Sequence, residues 1–144
     1  MLIPLPAADL WRRLPEALDG RATLAPLPAE GAGGVLEMLR PDLPLEDADA
    51  ALVVSTSGTT GAPKGVVLGR RALWASALAT HERLGGPGTW TCVLPIQHVA
   101  GVMTLVRSHV AGTIAVFGRP DLSDLVRAPG RNYLSIVPTQ LVRA

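Results

Sequence analysis

After residue 50 the sequence alternates between short apolar segments, which predict strands, and longer segments in which apolar residues recur with helical spacing. This alternation is typical of an α/β layer architecture. The predicted strands cover residues 51–55, 66–68, 90–94, 113–117 and 133–137. The predicted helices cover residues 71–84, 99–110 and 121–127, and a further helix opens at 138–144. We therefore predict the α/β class.

Residues 1–50 are predicted to be a proline-rich lead-in that stands outside this alternation. Seven prolines leave room for short helices only, around residues 9–18 and 35–40. We expect two regions, a lead-in over 1–50 and a partial α/β domain over 51–144. The last segment opens a helix and stops without a glycine cap, so we expect this domain to be truncated at its carboxy end.

The composition indicates a globular protein and excludes several classes of partner. Hydrophobic residues make up 48% of the chain and charged residues 17%, which is too apolar for a disordered chain. The net charge is +1 and the arginines are scattered, so neither nucleic acid nor an anionic membrane is an expected partner. With no predicted signal segment or membrane span, we expect a cytoplasmic location. Cys92, the single cysteine, is expected to be a buried core thiol.

Residues 56–65, which read TSGTTGAPKG, lie between two predicted strands and combine hydroxyls, glycines and one cation. Glycines allow backbone amides to approach a ligand, hydroxyls donate to phosphate oxygens, and an ammonium adds a compact positive charge. Lys64 is the single lysine among 13 basic residues. The loop follows a buried strand, where α/β proteins bind phosphates. It predicts a polyphosphate site, although it does not fit the Gly-Lys-Ser/Thr order of P-loop enzymes.

This loop resembles the signature loop of the adenylate-forming superfamily, which includes acyl-CoA synthetases, luciferases and nonribosomal adenylation domains. In that superfamily a carboxylate attacks the α-phosphate of ATP to give an acyl-adenylate, and CoA then displaces AMP. The resemblance implies ATP, Mg²⁺ and CoA as cofactors of the full-length enzyme, a catalytic role for Lys64, and no metal ligand in this chain. It implies that the ATP phosphates contact Thr56, Ser57, Gly58, Thr59, Thr60, Gly61 and Lys64.

A second motif, LPIQHVAG at residues 94–101, resembles the superfamily segment in which an aromatic residue or a histidine gates the acyl pocket. The resemblance implies a catalytic and substrate-binding role for His98, and substrate contacts for Ala100 and Gly101. A lone histidine would more often be an ordinary surface or core residue. The position of His98 between a strand end and a helix start, together with the motif, favours the site.

Residues 135–141 and 100–108 particularly resemble the o-succinylbenzoate-CoA ligases of menaquinone biosynthesis. Arg107 follows Ala100 by about two helical turns, so both are predicted to face the same side of their helix. An arginine beside an apolar stripe otherwise extends its head group into solvent. The resemblance implies instead that Arg107 contacts one of the two carboxylates of o-succinylbenzoate. A guanidinium can bind a carboxylate with two parallel hydrogen bonds.

Several hypotheses remain open at this point. The first is an amino-terminal fragment of an acid-CoA ligase that is inactive alone, because the later adenine, magnesium and ribose motifs of the family are absent from these 144 residues. The alternatives are another aryl- or acyl-CoA ligase, a short phosphate- or nucleotide-binding module, and a structural or oligomerising fragment. Exposed apolar surface would favour a homo-oligomer.

Overall fold

A computed structural model describes residues 1–56 and 64–143 of the chain. The chain forms two compact units, one of Met1–Leu73 with Ile96–Val99 and the other of Trp74–Pro95 with Ala100–Ala144. Each unit combines a sheet with helices, so the prediction of the α/β class is confirmed. The division of the chain at residue 50 stays a prediction. None of the helices in the described ranges has the length and apolarity that a membrane span requires.

The first unit is built on a four-stranded mixed sheet with the strand order β1-β2-β3-β4. These strands are β1 (Leu2–Pro6), β2 (Thr23–Leu27), β3 (Ala50–Thr56) and β4 (Lys64–Gly69). The first three strands run parallel, and β4 is antiparallel to β3. Helix α1 (Leu10–Leu18) packs against β2 and β3, and α2 (Ala32–Leu39) packs against β2 and β4. Five consecutive buried residues begin β3, which is typical of a strand covered on both faces.

The expectation that residues 1–50 form short helices only is wrong for β1 and β2. Strand β1 lies at the edge of the sheet, where Pro4 and Pro6 can be accommodated without a ladder hydrogen bond. Strand β2 pairs with β3 only at Leu24 and Leu52, so Pro26 lies beyond that described pairing. The two predicted short helices are confirmed as α1 and α2.

Asp49 connects the entry of β3 to the first turn of helix α3 (Arg70–Arg83). Its carbonyl accepts the backbone N–H of Arg70 at 2.7 Å, and its carboxylate accepts that of Arg71 at 3.2 Å. The same carboxylate pairs with both guanidinium groups, at 3.4 and 3.5 Å. An acidic side chain is favourable here because the first N–H groups of a helix have no partner within it.

The second unit is built on a three-stranded parallel sheet with the strand order β6-β5-β7. These strands are β5 (Thr89–Cys92), β6 (Val116–Phe117) and β7 (Asn132–Ser135). Helix α4 (Val99–Val110) connects β5 to β6, and α5 (Pro138–Arg143) follows β7. Most of α4 is buried, including the hydroxyls of Thr104 and Ser108, which donate to backbone carbonyls four residues earlier. This local bonding satisfies polar groups that the core would otherwise leave unpaired.

The predicted helix over residues 121–127 is wrong, because this segment consists of turns and irregular chain. The carboxylate of Asp121 accepts hydrogen bonds from the backbone N–H and the hydroxyl of Ser123. Leu122 has a left-handed φ of 63°, and Asp124 accepts the N–H of Arg119. Such local side-chain hydrogen bonds compete with the helical ladder. The other elements predicted after residue 50 are confirmed, with ends that differ by a few residues.

Candidate functional site

The loop predicted to bind phosphate joins β3 to β4, two antiparallel neighbours. Thr56 and Lys64 are partners in this pairing, and the Thr56 hydroxyl donates to the Lys64 carbonyl at 3.4 Å. The structure therefore brings together the two ends of the motif. Residues 57–63 lie outside the described part of the chain. The phosphate contacts predicted for Ser57, Gly58, Thr59, Thr60 and Gly61 stay predictions.

Lys64 begins β4 with an exposed side chain, and the glycine that follows it has a packing role. A Cβ atom on Gly65 would lie 3.1 Å from the Leu39 side chain and 3.2 Å from that of Val53. Contacts this short leave almost no space for a larger residue. Gly65 thus allows α2 to pack closely against the strand that carries Lys64.

The residues predicted to form the acyl pocket follow β5 along the chain. His98 and Ala100 are exposed, whereas Gly101 is buried in α4. His98 belongs to the first unit, together with Thr56 and Lys64. Ala100, Gly101 and Arg107 belong to the second unit. The gating role of His98 stays a prediction.

Cys92 at the end of β5 is a core thiol, as predicted from the sequence. Its sulfur lies 3.4 Å from the Leu94 carbonyl oxygen and 3.8 Å from that of Gly101. Burial raises the pKa of the Cys92 thiol above its ordinary value. The uncharged thiol therefore predominates at neutral pH, and Cys92 is unsuited to act as a nucleophile.

The guanidinium group of Arg107 lies against Trp90 in the second unit. Its central carbon is 4.9 Å from the centroid of the Trp90 ring, and Nη1 donates to the Ser135 hydroxyl at 3.5 Å. The Nε atom is buried and has no hydrogen-bond partner among the described residues. Burial lowers the pKa of Arg107, although a guanidinium remains charged in proteins. The side chain is half-buried, so it does not simply extend into solvent as a lone arginine on an apolar helix would.

Trp90 and Tyr133 were not predicted as functional residues from the sequence. The parallel register of β5 and β7 places them opposite each other, with ring centroids 4.9 Å apart and planes inclined by 38°. The Tyr133 hydroxyl donates to the Gly86 carbonyl at 2.8 Å. The chain has only one tyrosine and three tryptophans. The occurrence of two of these rare aromatic residues in two predicted strands was the signal in the sequence that could have pointed to a shared role.

The sequence alone predicts that His81 on α3 is an ordinary surface or core histidine, and the structure places it beside Arg107. Its side chain is 6% exposed, and its Nε2 atom has no partner among the described residues. Burial lowers the pKa of His81, and the positive charge of Arg107 lowers it further. A hydrogen bond to the backbone of Arg107 acts in the opposite direction.

We predict that His81 makes the protein less stable in weak acid. Below its ordinary pKa of 6.5 the unfolded chain takes up a proton that the buried ring resists, so stability falls as the pH falls through this value. Replacing His81 by leucine removes this contribution and should flatten the decrease in unfolding midpoint between about pH 7 and pH 5. Chemical denaturation across that range measures the slope.

The matched control for this prediction is His109→Leu, because His109 is a partly exposed histidine on α4. We expect the control to keep the acid sensitivity of the parent protein. An equally steep decrease in the His81→Leu variant would show that the buried ring is not its source.

Comparison with known proteins agrees with this architecture. The family model described as AMP-binding enzyme matches residues 9–143. A probable 2-succinylbenzoate-CoA ligase from Mycobacterium tuberculosis is 48% identical over 107 residues, which cover 68% of this chain and 28% of that protein. A 2-succinylbenzoate-CoA ligase from Listeria monocytogenes is 35% identical over 100 residues, covering 65% of this chain and 21% of that protein. The chain thus spans about a quarter of the length of these relatives.

Two solved structures share the fold at low sequence identity. The o-succinylbenzoate coenzyme A synthetase of Bacillus subtilis, in complex with ATP and magnesium, aligns with a TM-score of 0.60 and 18% identity, over 82% of this chain and 43% of that one. The amino-terminal subdomain of Klebsiella oxytoca NpsA aligns with a TM-score of 0.63 and 18% identity, over 85% of this chain and 41% of that one. At this identity the likeness concerns the fold alone.

The fold is part of that of the amino-terminal domain of adenylate-forming enzymes. Its β3–β4 connection carries residues 56–65, the motif on which the predicted resemblance to these enzymes rests. The chain belongs to the family of AMP-binding enzymes.

Proposed function

We propose that the protein containing this chain activates o-succinylbenzoate with ATP and transfers the acyl group to CoA. A carboxylate oxygen of the acid attacks the α-phosphorus of ATP, and the bond to the leaving pyrophosphate breaks. The CoA sulfur then attacks the acyl carbon of the adenylate. The carbon–oxygen bond to AMP breaks, and the thiol proton is released. The two products of the second step are the acyl-CoA thioester and AMP.

The observation that most supports this substrate is the half-buried guanidinium of Arg107. Among the described residues it forms no salt bridge with a carboxylate. A partly desolvated cation without a counter-charge favours an anionic ligand, because pairing offsets the cost of burying the charge. o-Succinylbenzoate has two carboxylates, so one can be activated while Arg107 binds the other. The names of the similar ligases from Mycobacterium and Listeria agree with this choice.

We assign the ATP phosphates to the connection between β3 and β4. Thr56 and Lys64 stand at its two described ends, and the exposed ammonium of Lys64 can reach a polyphosphate. We propose further contacts from Ser57, Gly58, Thr59, Thr60 and Gly61, and substrate contacts from His98, Ala100 and Gly101. Magnesium enters with ATP, and we assign it no ligand in this chain. In the described ranges there is no group of three or more His, Cys, Asp or Glu side chains that could hold a metal.

We place this reaction in menaquinone biosynthesis and in the cytoplasm. The resemblance of residues 135–141 to o-succinylbenzoate-CoA ligases supports the pathway, and the use of ATP and CoA supports the location. Residues 1–144 alone are proposed to be inactive, since the adenylation lysine and the magnesium-binding glutamate of the superfamily have no counterpart here. Self-association stays a prediction, supported by exposed apolar side chains such as Ile114 and Val126.

The test is pyrophosphate exchange by the protein expressed from its natural reading frame. We expect exchange of labelled pyrophosphate into ATP that depends on o-succinylbenzoate, and an acyl-CoA product visible by mass spectrometry when CoA is added. Benzoate and a medium-chain fatty acid are the comparison substrates. Preference for either would indicate another acid-CoA ligase. Nucleotide binding without exchange would support the alternative of a binding module.

A further inference from the structure

Three buried nitrogen atoms in the second unit have no hydrogen-bond partner among the described residues: Nε of Arg107, Nε1 of Trp90 and Nε2 of His81. Trp90 lies against the Arg107 guanidinium, and a hydrogen bond joins the His81 ring to the Arg107 backbone. Buried polar atoms are usually paired, so such a group of exceptions requires an explanation. The three atoms thus belong to Arg107, which we propose to bind the second carboxylate, and to two side chains that contact it.

The indole of Trp90 is itself firmly held. It is 3% exposed, and its ring packs on Tyr133, which lies opposite it in the pairing of β5 with β7. The hydroxyl of Tyr133 in turn donates to the backbone carbonyl of Gly86. The surface on which the guanidinium rests is therefore fixed by the sheet on one side and by the loop before β5 on the other.

The half-buried guanidinium of Arg107 has an aromatic face as its partner, and this has a consequence for ligand binding. A carboxylate would neutralise Arg107 and occupy its N–H groups, so an incoming acid would have to displace it. The face of an indole attracts the cation through its quadrupole but accepts none of the in-plane N–H bonds. The charge of Arg107 is thus stabilised while donors remain for a ligand.

We propose that Trp90 is a positioning residue for Arg107, holding its guanidinium in the orientation that binds the second carboxylate of the acid. This inference rests on the proposed function, because it concerns the same substrate site. It assigns Trp90 no contact with the reacting atoms. It predicts that the ring face of Trp90 determines how well the protein distinguishes a diacid from a monoacid.

The experiment compares Trp90→Phe and Trp90→Leu in the protein from its natural reading frame. The substrates are o-succinylbenzoate and its two monocarboxylate analogues, 4-oxo-4-phenylbutanoate and 2-butanoylbenzoate, of which the one that the parent protein activates serves as the reference. We expect Trp90→Leu to lower the ratio of kcat/KM for the diacid to that for the monoacid by about tenfold, mainly through KM for the diacid. Trp90→Phe should lie between this variant and the parent, because phenylalanine keeps an aromatic face.

The matched control is Trp74→Phe, because Trp74 is a tryptophan of the same unit whose ring packs edge-on against His109. We expect this variant to keep the diacid-to-monoacid ratio of the parent. An equal loss for both substrates in Trp90→Leu, or identical behaviour of the phenylalanine and leucine variants, would mean that Trp90 only supports the core.

A second measurement applies even if Trp90→Leu fails to fold. Fluorinated tryptophans introduced at position 90 alone keep the shape of the indole while weakening the attraction of its face for a cation. We expect the diacid-to-monoacid ratio to fall stepwise with each added fluorine, and an unchanged ratio would overturn the inference. Arg107→Ala separates the two proposals. If Arg107→Ala lowers kcat/KM for the diacid and the monoacid equally, the proposed function fails at this site. If Arg107→Ala lowers kcat/KM for the diacid selectively and the Trp90 variants do not, only the role of Trp90 is wrong.

Discussion

Replacing Lys64 by alanine is expected to lower kcat/KM for ATP in adenylation by about 100-fold to 1,000-fold. The reason is that the ammonium would contact the polyphosphate as charge moves onto the leaving pyrophosphate. A preorganised donor of this kind acts more on the transition state than on the bound substrate. Pyrophosphate exchange over a range of ATP concentrations measures the effect. Equilibrium titration with o-succinylbenzoate should show a much smaller change in binding of the acid.

The folded state should tolerate this substitution, because Lys64 is exposed at the beginning of β4. Lys64→Arg is the conservative comparison, and we expect it to keep part of the activity because it keeps the charge. Arg12→Ala, which removes an exposed cation on α1 in the same unit, is the matched control and should leave exchange unchanged. Normal adenylation kinetics in Lys64→Ala would remove this residue from the site.

The sequence predicted the strands on either side of the β3–β4 connection better than it predicted the strands before β3. The continuous apolar run of β3 and the glycines after it are local signals, and the structure has the strand and the following hairpin partner where they were expected. Strands β1 and β2 were missed because proline usually argues against a strand. Whether a proline is tolerated depends on which neighbour its backbone faces. That is decided by the sheet order, which no local pattern contains.

The segment around Asp121 shows the opposite error. Its apolar spacing favours a helix, but the side chains of Asp121 and Asp124 bond to nearby backbone N–H groups and stabilise turns. A further hydrogen bond, from the Gln140 amide to the Pro120 carbonyl, holds this loop to α5. Helical periodicity alone could not reveal a contact across 20 residues.

In the candidate site, the sequence identified Arg107 and its helix but not its surroundings. The packing of Trp90 on Tyr133 follows from the register of β5 with β7, and these strands are separated by α4 and β6 along the chain. Register between distant strands depends on the packing of the whole layer. The three nitrogen atoms without partners were likewise invisible, since partners can be counted only once all neighbours are placed.

The last prediction concerns Arg107. Replacing it by alanine should lower kcat/KM for o-succinylbenzoate by about 100-fold, because a carboxylate loses a charge-assisted pair of hydrogen bonds that contribute about 2–4 kcal/mol. For the monocarboxylate analogue that the parent protein activates, kcat/KM should fall far less, since this analogue lacks the carboxylate that the guanidinium binds. Steady-state kinetics with both acids measure the selectivity directly.

Two further substitutions separate binding from packing in this experiment. Arg107→Met keeps an unbranched side chain over Trp90. We expect it to lose the diacid preference as completely as Arg107→Ala does, with a free energy of unfolding closer to that of the parent protein. Arg107→Lys keeps the charge but cannot offer two parallel N–H groups, so we expect an intermediate preference for the diacid. Because the Arg107 side chain is half-buried and lies against the Trp90 ring, some loss of stability in Arg107→Ala is expected for packing reasons alone. Equal losses for diacid and monoacid in all three variants would therefore assign Arg107 to the fold and leave the second carboxylate without a partner in this unit.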